Sequence, residues 1–130
     1  LAPNGKSSLT FKNALPDQAK SVFSGLIKVE NEAGSTNAYQ SNRNLLLSDT
    51  AKADSLPGLE ILANDVKCSH GATTSKIDEQ ELFYLLSRGI PRSTAERLIV
   101  LGFFEEVIEK IRIEDQLESV RESISKSFDT

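Results

Sequence analysis

The only cysteine and the only histidine of this 130-residue chain lie two positions apart, as Cys68 and His70. They belong to the stretch Leu59–Ser75, whose alternation is typical of a β-strand. In a strand, residues i and i+2 point to the same face, about 7 Å apart. A thiolate is the usual protein ligand of an iron–sulfur cluster, and an imidazole can replace it. Two such groups cannot complete a tetrahedral site, so the other ligands would have to come from a partner.

Two other interpretations of this pair are open. The first is structural: the cysteine packs as a small hydrophobic residue beside a hydrogen-bonded histidine, and the spacing alone favours this interpretation. The second is a Cys–His hydrolase, which requires an imidazole about 3 Å from the sulfur, a third orienting group and an oxyanion hole. Glu60 and Asp65 are the nearby carboxylates, and nothing in the sequence selects either of them.

Composition is typical of a soluble globular protein, with 38% hydrophobic and 26% charged residues. The length suits one ordinary domain or two small ones. No apolar run approaches the roughly 20 residues that a membrane span requires. The absence of methionine leads us to expect a piece of a longer protein, and a single cysteine fits a reducing compartment. No P-loop motif occurs, so any ATPase activity is expected in a partner.

Charge differs between the two parts of the chain. Residues 1–77 carry 8 basic and 7 acidic side chains, whereas residues 78–130 carry 7 basic and 12 acidic ones. Nucleic-acid binding requires a basic patch, so nucleic acid is not expected as the main partner. An acidic helical part would suit a basic protein surface, although a solvated helix face explains the same charges.

Residues 1–77 predict short strands separated by turns. Turn signals recur at roughly 10- to 20-residue intervals, which suits a β-sandwich, a barrel or a parallel β-helix. The pattern alone leaves these three architectures open. The extended segments are expected at Ser8–Lys12, Ala19–Val29, Ser35–Leu47 and Leu59–Ser75, and the turns at Asn13–Asp17, Asn31–Gly34 and Pro57–Gly58.

Residues 78–130 predict helices. Asp78 is a good N-cap residue, with Glu81 three positions later as in a capping box. Gly89 is expected to end the first helix in a left-handed conformation, and Pro91 to open the next one.

The second helix is expected to begin with a capping box between Ser93 and Glu96 and to reach about Ile111. A last helix over Glu114–Phe128 would carry one apolar stripe. The middle of the second helix, Leu98–Phe104, is apolar nearly all round. Such a helix is covered on more than one side, either by an ordinary α-hairpin core or by a docked partner.

Three stretches of this sequence resemble the C-terminal region of the SufB/SufD family. They are Pro57–Ser75, Phe83–Arg92 and Ala95–Phe104, and they occur in the same order as in the family. The resemblance covers about residues 45–112, and the Cys-Ser-His spelling is closer to SufD than to SufB. Residues 1–44 fit loosely, and residues 113–130 do not contribute.

This resemblance implies the last coils of a right-handed parallel β-helix over residues 1–77, followed by a small helical domain over residues 78–130. Members of the family are scaffolds for iron–sulfur cluster assembly rather than enzymes. The resemblance further implies a SufB-like subunit paired through the β-helices and a SufC-like ABC ATPase docked on the helical domain. The cut ends of the β-helix could also pair into a homodimer. Neither nucleic acid nor a membrane is an expected partner.

The resemblance also implies roles for individual residues. Cys68 and His70 would serve cluster assembly or the SufB interface, and would bind metal only together with partner ligands. No cofactor is expected on this stretch alone, although an iron–sulfur cluster could form transiently in the full complex. The expected location is the bacterial cytoplasm or the plastid stroma. The residues expected to dock SufC are Arg92, Glu96, Leu98, Leu101, Phe103 and Phe104.

Overall fold

A computed structural model describes residues 3–127 of the chain. The chain divides into two compact units, Leu1–Ser75 and Lys76–Thr130. The first unit holds five parallel-paired strands and the second holds three helices, which confirms the predicted combination of β and α structure. The strands are β1 (Lys6–Leu15), β2 (Lys20–Val29), β3 (Asn37–Leu46), β4 (Lys52–Ile61) and β5 (Lys67–Lys76); the helices are α1 (Glu79–Ser87), α2 (Arg92–Ile108) and α3 (Glu114–Lys126).

Successive strands alternate between two parallel sheets. One sheet has the order β1-β3-β5 and the other pairs β2 with β4. The register runs without interruption from Lys6 opposite Asn37 to Leu15 opposite Leu46. The chain therefore visits the first sheet, crosses to the second and returns to the first one strand further along.

A left-handed residue recurs before each strand of the three-stranded sheet. Asn4, Ser35 and Asp65 have φ angles of 58°, 55° and 53°. The turns stack on one another, because the Asn4 N–H donates to the Gly34 carbonyl at 2.9 Å and the Ser35 N–H donates to the Asp65 carbonyl at 3.0 Å. Short polar side chains tolerate this conformation better than most residues. A structural repeat of about 30 residues thus underlies a sequence without an evident period.

The interior of the strand unit contains a hydrogen-bonded asparagine network. Asn42 is fully buried, and Asn44 is 1% exposed. The Asn13 amide donates to the Asn44 side-chain oxygen at 2.9 Å, and the Asn42 amide donates to the Ser55 hydroxyl at 2.8 Å. Asn44 also reaches the Thr74 hydroxyl on β5 at 3.4 Å. The network therefore links all three strands of one sheet to the other sheet, which satisfies the buried amides.

The predicted turn at Pro57–Gly58 is wrong, because β4 runs straight through both residues. The Lys52 N–H donates to the Ala19 carbonyl just before β2, and the Leu62 N–H donates to the Val29 carbonyl at the end of β2. In a regular strand, alternate residues direct their N–H groups to the same side. The even-numbered residues of β4 therefore donate to β2, and the odd-numbered Pro57 lies at a position whose N–H would point away from β2. Proline is tolerated in a strand at such a position, where its missing N–H faces away from the partner strand.

The predicted continuous segment Leu59–Ser75 is also wrong in part. It contains the end of β4, which stops at Ile61, and the whole of β5 up to Ser75, which starts at Lys67. The intervening turn includes the left-handed residue Asp65. A left-handed residue changes the chain direction, which period-2 alternation in the sequence did not reveal.

Helix α1 begins and ends as predicted. The Asp78 carboxylate accepts hydrogen bonds from the N–H groups of Gln80 and Glu81, at 2.8 and 3.3 Å. At the other end Gly89 has a φ of 81° and donates to the Leu86 carbonyl at 2.9 Å. The Ile90 N–H donates to the Leu85 carbonyl, which completes a Schellman motif.

Helix α2 opens at Pro91, as predicted, but without the predicted capping box. Pro91 occupies the N-cap position without a side-chain hydrogen bond, so the predicted capping box of Ser93 and Glu96 is wrong. The Glu96 carboxylate instead accepts a hydrogen bond from Arg92 Nε at 2.8 Å, as an i, i+4 pair. The helix ends at Ile108 rather than near Ile111.

The helical unit has a small apolar core. Leu82 of α1 packs with Ala95 and Ile99 of α2, and all three are buried. Half-buried residues surround this cluster, namely Ile77, Leu85, Leu86 and Ile90. Helix α3 is held on α2 partly by polar groups, because Arg121 pairs with Glu105. Within residues 3–127, no helix is long and apolar enough to cross a bilayer.

Candidate functional site

Cys68 and His70 both lie on β5, at the edge of the three-stranded sheet. The Lys67 N–H donates to the Thr36 carbonyl at 2.8 Å, just as the Asn37 N–H donates to the Gly5 carbonyl where β1 pairs with β3. Since Asn37 is opposite Lys6 there, the same geometry puts Lys67 opposite Asn37. Continuing this register puts Cys68 beside Ala38 and His70 beside Gln40.

The inward-facing column of β3 is buried, whereas its continuation on β5 is largely open. The β3 residues of this column are Ala38, Gln40, Asn42 and Asn44, which are all buried. Their neighbours on β5 are Cys68, His70, Ala72 and Thr74, of which Cys68 alone is half-buried and the other three are exposed. The hydrogen bond from Asn44 to Thr74 fixes this face of the strand. Residues that continue an interior column therefore stand at an uncovered edge.

The two candidate ligands differ in how far they are buried. Cys68 is half-buried against the apolar cluster of Val29, Ala33 and Ala63. His70 is exposed. The thiol thus has the environment of a packed residue, and the imidazole is open to solvent or to a partner.

No complete metal site exists in the part of the chain that the structure describes. No three side chains of histidine, cysteine, aspartate or glutamate converge there. Cys68 and His70 could supply at most two ligands to an iron atom, which prefers four in iron–sulfur clusters. The chemistry that the pair can support therefore depends on ligands from another chain.

The residues expected to dock an ATPase differ in exposure. Arg92 is exposed and pairs with the half-buried Glu96. Leu98 is 46% exposed, whereas Leu101, Phe103 and Phe104 are only partly accessible. The rings of Phe103 and Phe104 pack edge to face, with centroids 5.2 Å apart. Leu101 lies in an open groove of about 440 Å³ between α2 and α3.

Charged side chains line that groove, and one ion pair among them joins α2 to α3. The Arg121 guanidinium binds Glu105, and its Nε donates to Glu105 Oε2 at 3.3 Å. This hydrogen bond lowers the pKa of Glu105 and, in the same way, raises the pKa of Arg121. In the strand unit, hydrogen bonding to Glu30 raises the pKa of Lys28, which also pairs with Glu60 on the neighbouring strand. Both clusters are ordinary solvated ion pairs rather than reactive sites.

Two features of the structure were not predicted from the sequence. Phe83 and Tyr84 of α1 are 71% and 56% exposed, which the helical pattern around them did not indicate. Gln40 is 4% exposed, and its amide nitrogen has no hydrogen-bond partner among residues 3–127. That nitrogen lies over Gly25, where an added Cβ would be 1.9 Å away. The exposure of Phe83 and Tyr84 and the burial of Gln40 could not be inferred from residue spacing, because none of these residues interrupts the local sequence pattern.

Comparison with known proteins identifies the family. Residues 1–103 match a domain described as "SUF system FeS cluster assembly, SufBD core domain". The chain belongs to the SufB/SufD family. The match starts well before residue 45, so the resemblance seen in the sequence extends over the first strands as well.

Several known proteins are similar to the chain. SufD of Escherichia coli is 45% identical over 103 residues, which make up 79% of this chain and 24% of that protein. An iron–sulfur cluster assembly SufBD family protein of Mycobacterium bovis is 39% identical over 136 residues, with 98% and 34% of the two chains covered. The chloroplastic protein ABCI7 of Arabidopsis thaliana is 47% identical over 91 residues, with 70% and 19% covered. This SufBD-family chain thus spans between about a fifth and a third of these relatives.

Proposed function

We propose that the chain is the C-terminal part of a SufD-like scaffold in the SUF iron–sulfur cluster assembly complex, and that it is not an enzyme. Membership of the SufB/SufD family is the observation that carries this proposal. The position of His70 on an uncovered sheet edge supports it, because a scaffold that shares a cluster has to present ligands to another subunit. The cluster is the cargo of this scaffold rather than a resident cofactor.

The strand unit, in this proposal, forms the last coils of a right-handed parallel β-helix. Alternation of the strands between two parallel sheets supports this architecture, as does the stacking of equivalent turns about 30 residues apart. The interior asparagine network is a further support, since stacked coils align equivalent side chains. A sandwich of antiparallel hairpins would not give parallel pairing in both sheets.

A SufB-like subunit is the proposed partner of the β5 edge. In the described part of the chain, β5 pairs with β3 on one side only. A free strand edge offers unpaired N–H and C=O groups to another chain. Lys67 and Lys76 stand at the two ends of β5, where charges limit unspecific edge pairing. A second copy of the chain is the competing occupant of this edge.

His70 and Cys68 would contribute to cluster assembly at that interface. The exposed imidazole suits a direct ligand, whereas the half-buried thiol would need a small movement of β5 to reach a partner's iron. The packing of Cys68 favours a second candidate function, an interaction module whose Cys–His pair is purely structural. The two functions differ in whether the complex builds clusters without these side chains.

The helical unit would dock a SufC-like ABC ATPase, through a surface that includes Arg92, Glu96, Leu98, Leu101, Phe103 and Phe104. Its acidic excess suits a basic partner surface. The complex would act in the bacterial cytoplasm or the plastid stroma, and the chloroplastic relative supports the second location.

Proline substitution tests the proposed pairing. The N–H of Lys67 points to β3, so even-numbered residues such as Ala72 direct their N–H groups to the free edge. Ala72→Pro in the full-length protein should retain the fold and lose co-purification with the SufB-like subunit. Thr73→Pro is the matched control, because it removes a hydrogen bond to β3 and should destabilise the fold. Undiminished pairing of a folded Ala72→Pro variant would contradict the proposed interface.

A further inference from the structure

One amide group in the interior of the strand unit has no hydrogen-bond partner. Gln40 of β3 is 4% exposed, and its Nε2 is paired with no atom of residues 3–127. The next two amides on the same face of β3 are paired, because Asn42 donates to Ser55 and Asn44 accepts from Asn13. An unpaired buried donor destabilises the folded state, so its presence in the interior indicates a role other than stability.

Gly25 makes room for the Gln40 carboxamide. A Cβ built on Gly25 would lie 1.9 Å from Gln40 Nε2 and 2.8 Å from Gln40 Cδ. The carboxamide therefore reaches across the interior to the backbone of β2, at a place where a side chain on β2 would displace it. Neither Gly25 nor Pro57 of β4, its partner in register, has a side chain that accepts a hydrogen bond. The contacts on this side hold the carboxamide without satisfying it.

The neighbours of Gln40 along its own column include one polar side chain. Leu9 of β1 lies opposite Gln40 in the register of the three-stranded sheet. On the other side, the continued register places His70 of β5 beside Gln40. The hydrogen bond from Asn44 to Thr74 supports this register, because it joins the pair four positions further along the same two strands. Leu9 is apolar, so the imidazole of His70 is the polar group next to the carboxamide, one strand spacing of about 4.8 Å away.

The carboxamide and the imidazole complement each other chemically. A histidine that binds metal through one ring nitrogen carries a proton on the other, and a hydrogen-bond acceptor on that N–H fixes the ring. A carboxamide has an acceptor oxygen and a donor nitrogen, whose places a half-turn of its last torsion exchanges. Gln40 can therefore accept from the N–H of a ligating His70. Since His70 is exposed, its ring can turn onto the carboxamide while the opposite nitrogen faces a partner.

We propose that Gln40 is a positioning residue for His70: its carboxamide pairs with one ring nitrogen, so that the other nitrogen faces a cluster shared with the partner subunit. The inference rests on the proposed function and adds one residue to it. It accounts for both unusual features of the interior, the unpaired amide and the glycine that makes room for it. Gln40 does not touch the cluster and acts only through the orientation of His70.

The test uses the full-length complex after anaerobic reconstitution and measures, from the cluster absorbance, how fast an iron chelator removes the cluster. Gln40→Met keeps an unbranched side chain of similar length and removes the amide. The variant complex should form, should melt at or above the temperature of the parent, and should lose its cluster at least about 10-fold faster. Leu9→Met, on the other side of Gln40 in the same column, is the matched control and should stay within about twofold of the parent.

A double-variant cycle separates positioning from packing. If Gln40 acts through His70, Gln40→Met should not accelerate cluster loss further in a His70→Ala background. Additive effects of the two substitutions would overturn the inference. A Gln40→Met complex that fails to form, or that melts at a lower temperature than the parent, would also overturn it, because the amide would then belong to the packing of the interior.

The same measurements distinguish this inference from the proposed function. A parent complex that builds no cluster, or a His70→Ala complex that keeps its cluster like the parent, overturns the proposed role of His70 and this inference with it. Cluster loss at the parent's rate from Gln40→Met, together with fast loss from His70→Ala, overturns the inference alone. The amide of Gln40 would then be assigned to an internal water molecule.

Discussion

At the residue scale, the two side chains that first suggested iron chemistry have unequal surroundings. His70 stands open on the edge strand, whereas Cys68 fills a place against Val29, Ala33 and Ala63. Spacing in the sequence brought both residues to one strand. The spacing could not predict that one is half-buried and the other exposed, because burial depends on which residues pack against the strand in three dimensions.

The buried asparagine network gives a prediction for a single side chain. Asn44→Ala removes the acceptor of the Asn13 amide and the link from β3 to Thr74 on β5. Leaving buried polar groups unpaired should lower the free energy of unfolding by about 2 to 4 kcal/mol in urea denaturation. Asn37→Ala, at an exposed position of the same strand, is the control and should change it by less than about 0.5 kcal/mol. Equal effects of the two substitutions would contradict the importance of the network.

Two glycines of the helical unit should respond to alanine with opposite signs. Gly89 has a φ of 81°, so Gly89→Ala should destabilise the protein by about 1 to 2 kcal/mol. Gly102 lies inside α2 with no atom within 4 Å of an added Cβ. Gly102→Ala should therefore stabilise the protein by about 0.5 to 1 kcal/mol. Unfolding free energies measured in parallel check both, and a stabilising Gly89→Ala would refute the assigned helix end.

At the element scale, the ion pair between α2 and α3 predicts a pH dependence. Arg121 lowers the pKa of Glu105 below its ordinary value of 4.5. The pair therefore stabilises the α2–α3 packing fully above that value, and the contribution disappears as the pH falls through the lowered pKa.

A pH series of melting temperatures tests this linkage. At neutral pH the melting temperature of the parent should be higher than that of Glu105→Gln. This difference in melting temperature should vanish at a pH below the lowered pKa of Glu105. Glu118→Gln is the matched control, since that carboxylate is 3.9 Å from the same guanidinium but 79% exposed. A constant difference between parent and Glu105→Gln across the series would show that the ion pair is not the cause.

The elements also show where sequence patterns suffice. Capping chemistry located α1 correctly, because Asp78 and Gly89 act through their immediate neighbours. The same reasoning failed at Ser93, since Pro91 starts α2 earlier and leaves Glu96 free to pair with Arg92. A turn was wrongly predicted at Pro57, because a strand tolerates proline only where the missing N–H faces away from the paired edge, which the sequence does not show. Local signals thus predicted both ends of α1, but they failed where two of them competed at the start of α2 and where strand pairing decided the outcome at Pro57.

At the scale of the whole molecule, the parallel sheets and the family match specify the fold and the function more closely than the sequence pattern does. The pattern left a sandwich, a barrel and a β-helix open because the repeat lies in turn conformations rather than in residue identities. Family membership indicates cluster assembly, and the site residues follow only as a proposal. The exposure of Phe83 and Tyr84 on α1 was not predicted, because periodicity indicates which side chains a helix buries and says little about the others.

The central claim is that the open face of β5 serves cluster assembly in a complete complex. The most direct measurement is anaerobic iron–sulfur reconstitution of the full-length complex with His70→Ala and, separately, Cys68→Ala, following both complex formation and cluster absorbance. The account predicts that the His70→Ala complex still assembles and that its cluster absorbance is strongly reduced, with a smaller loss for Cys68→Ala because that thiol is packed. Complexes of both variants that build clusters like the parent would contradict the claim and leave the pair with a structural role.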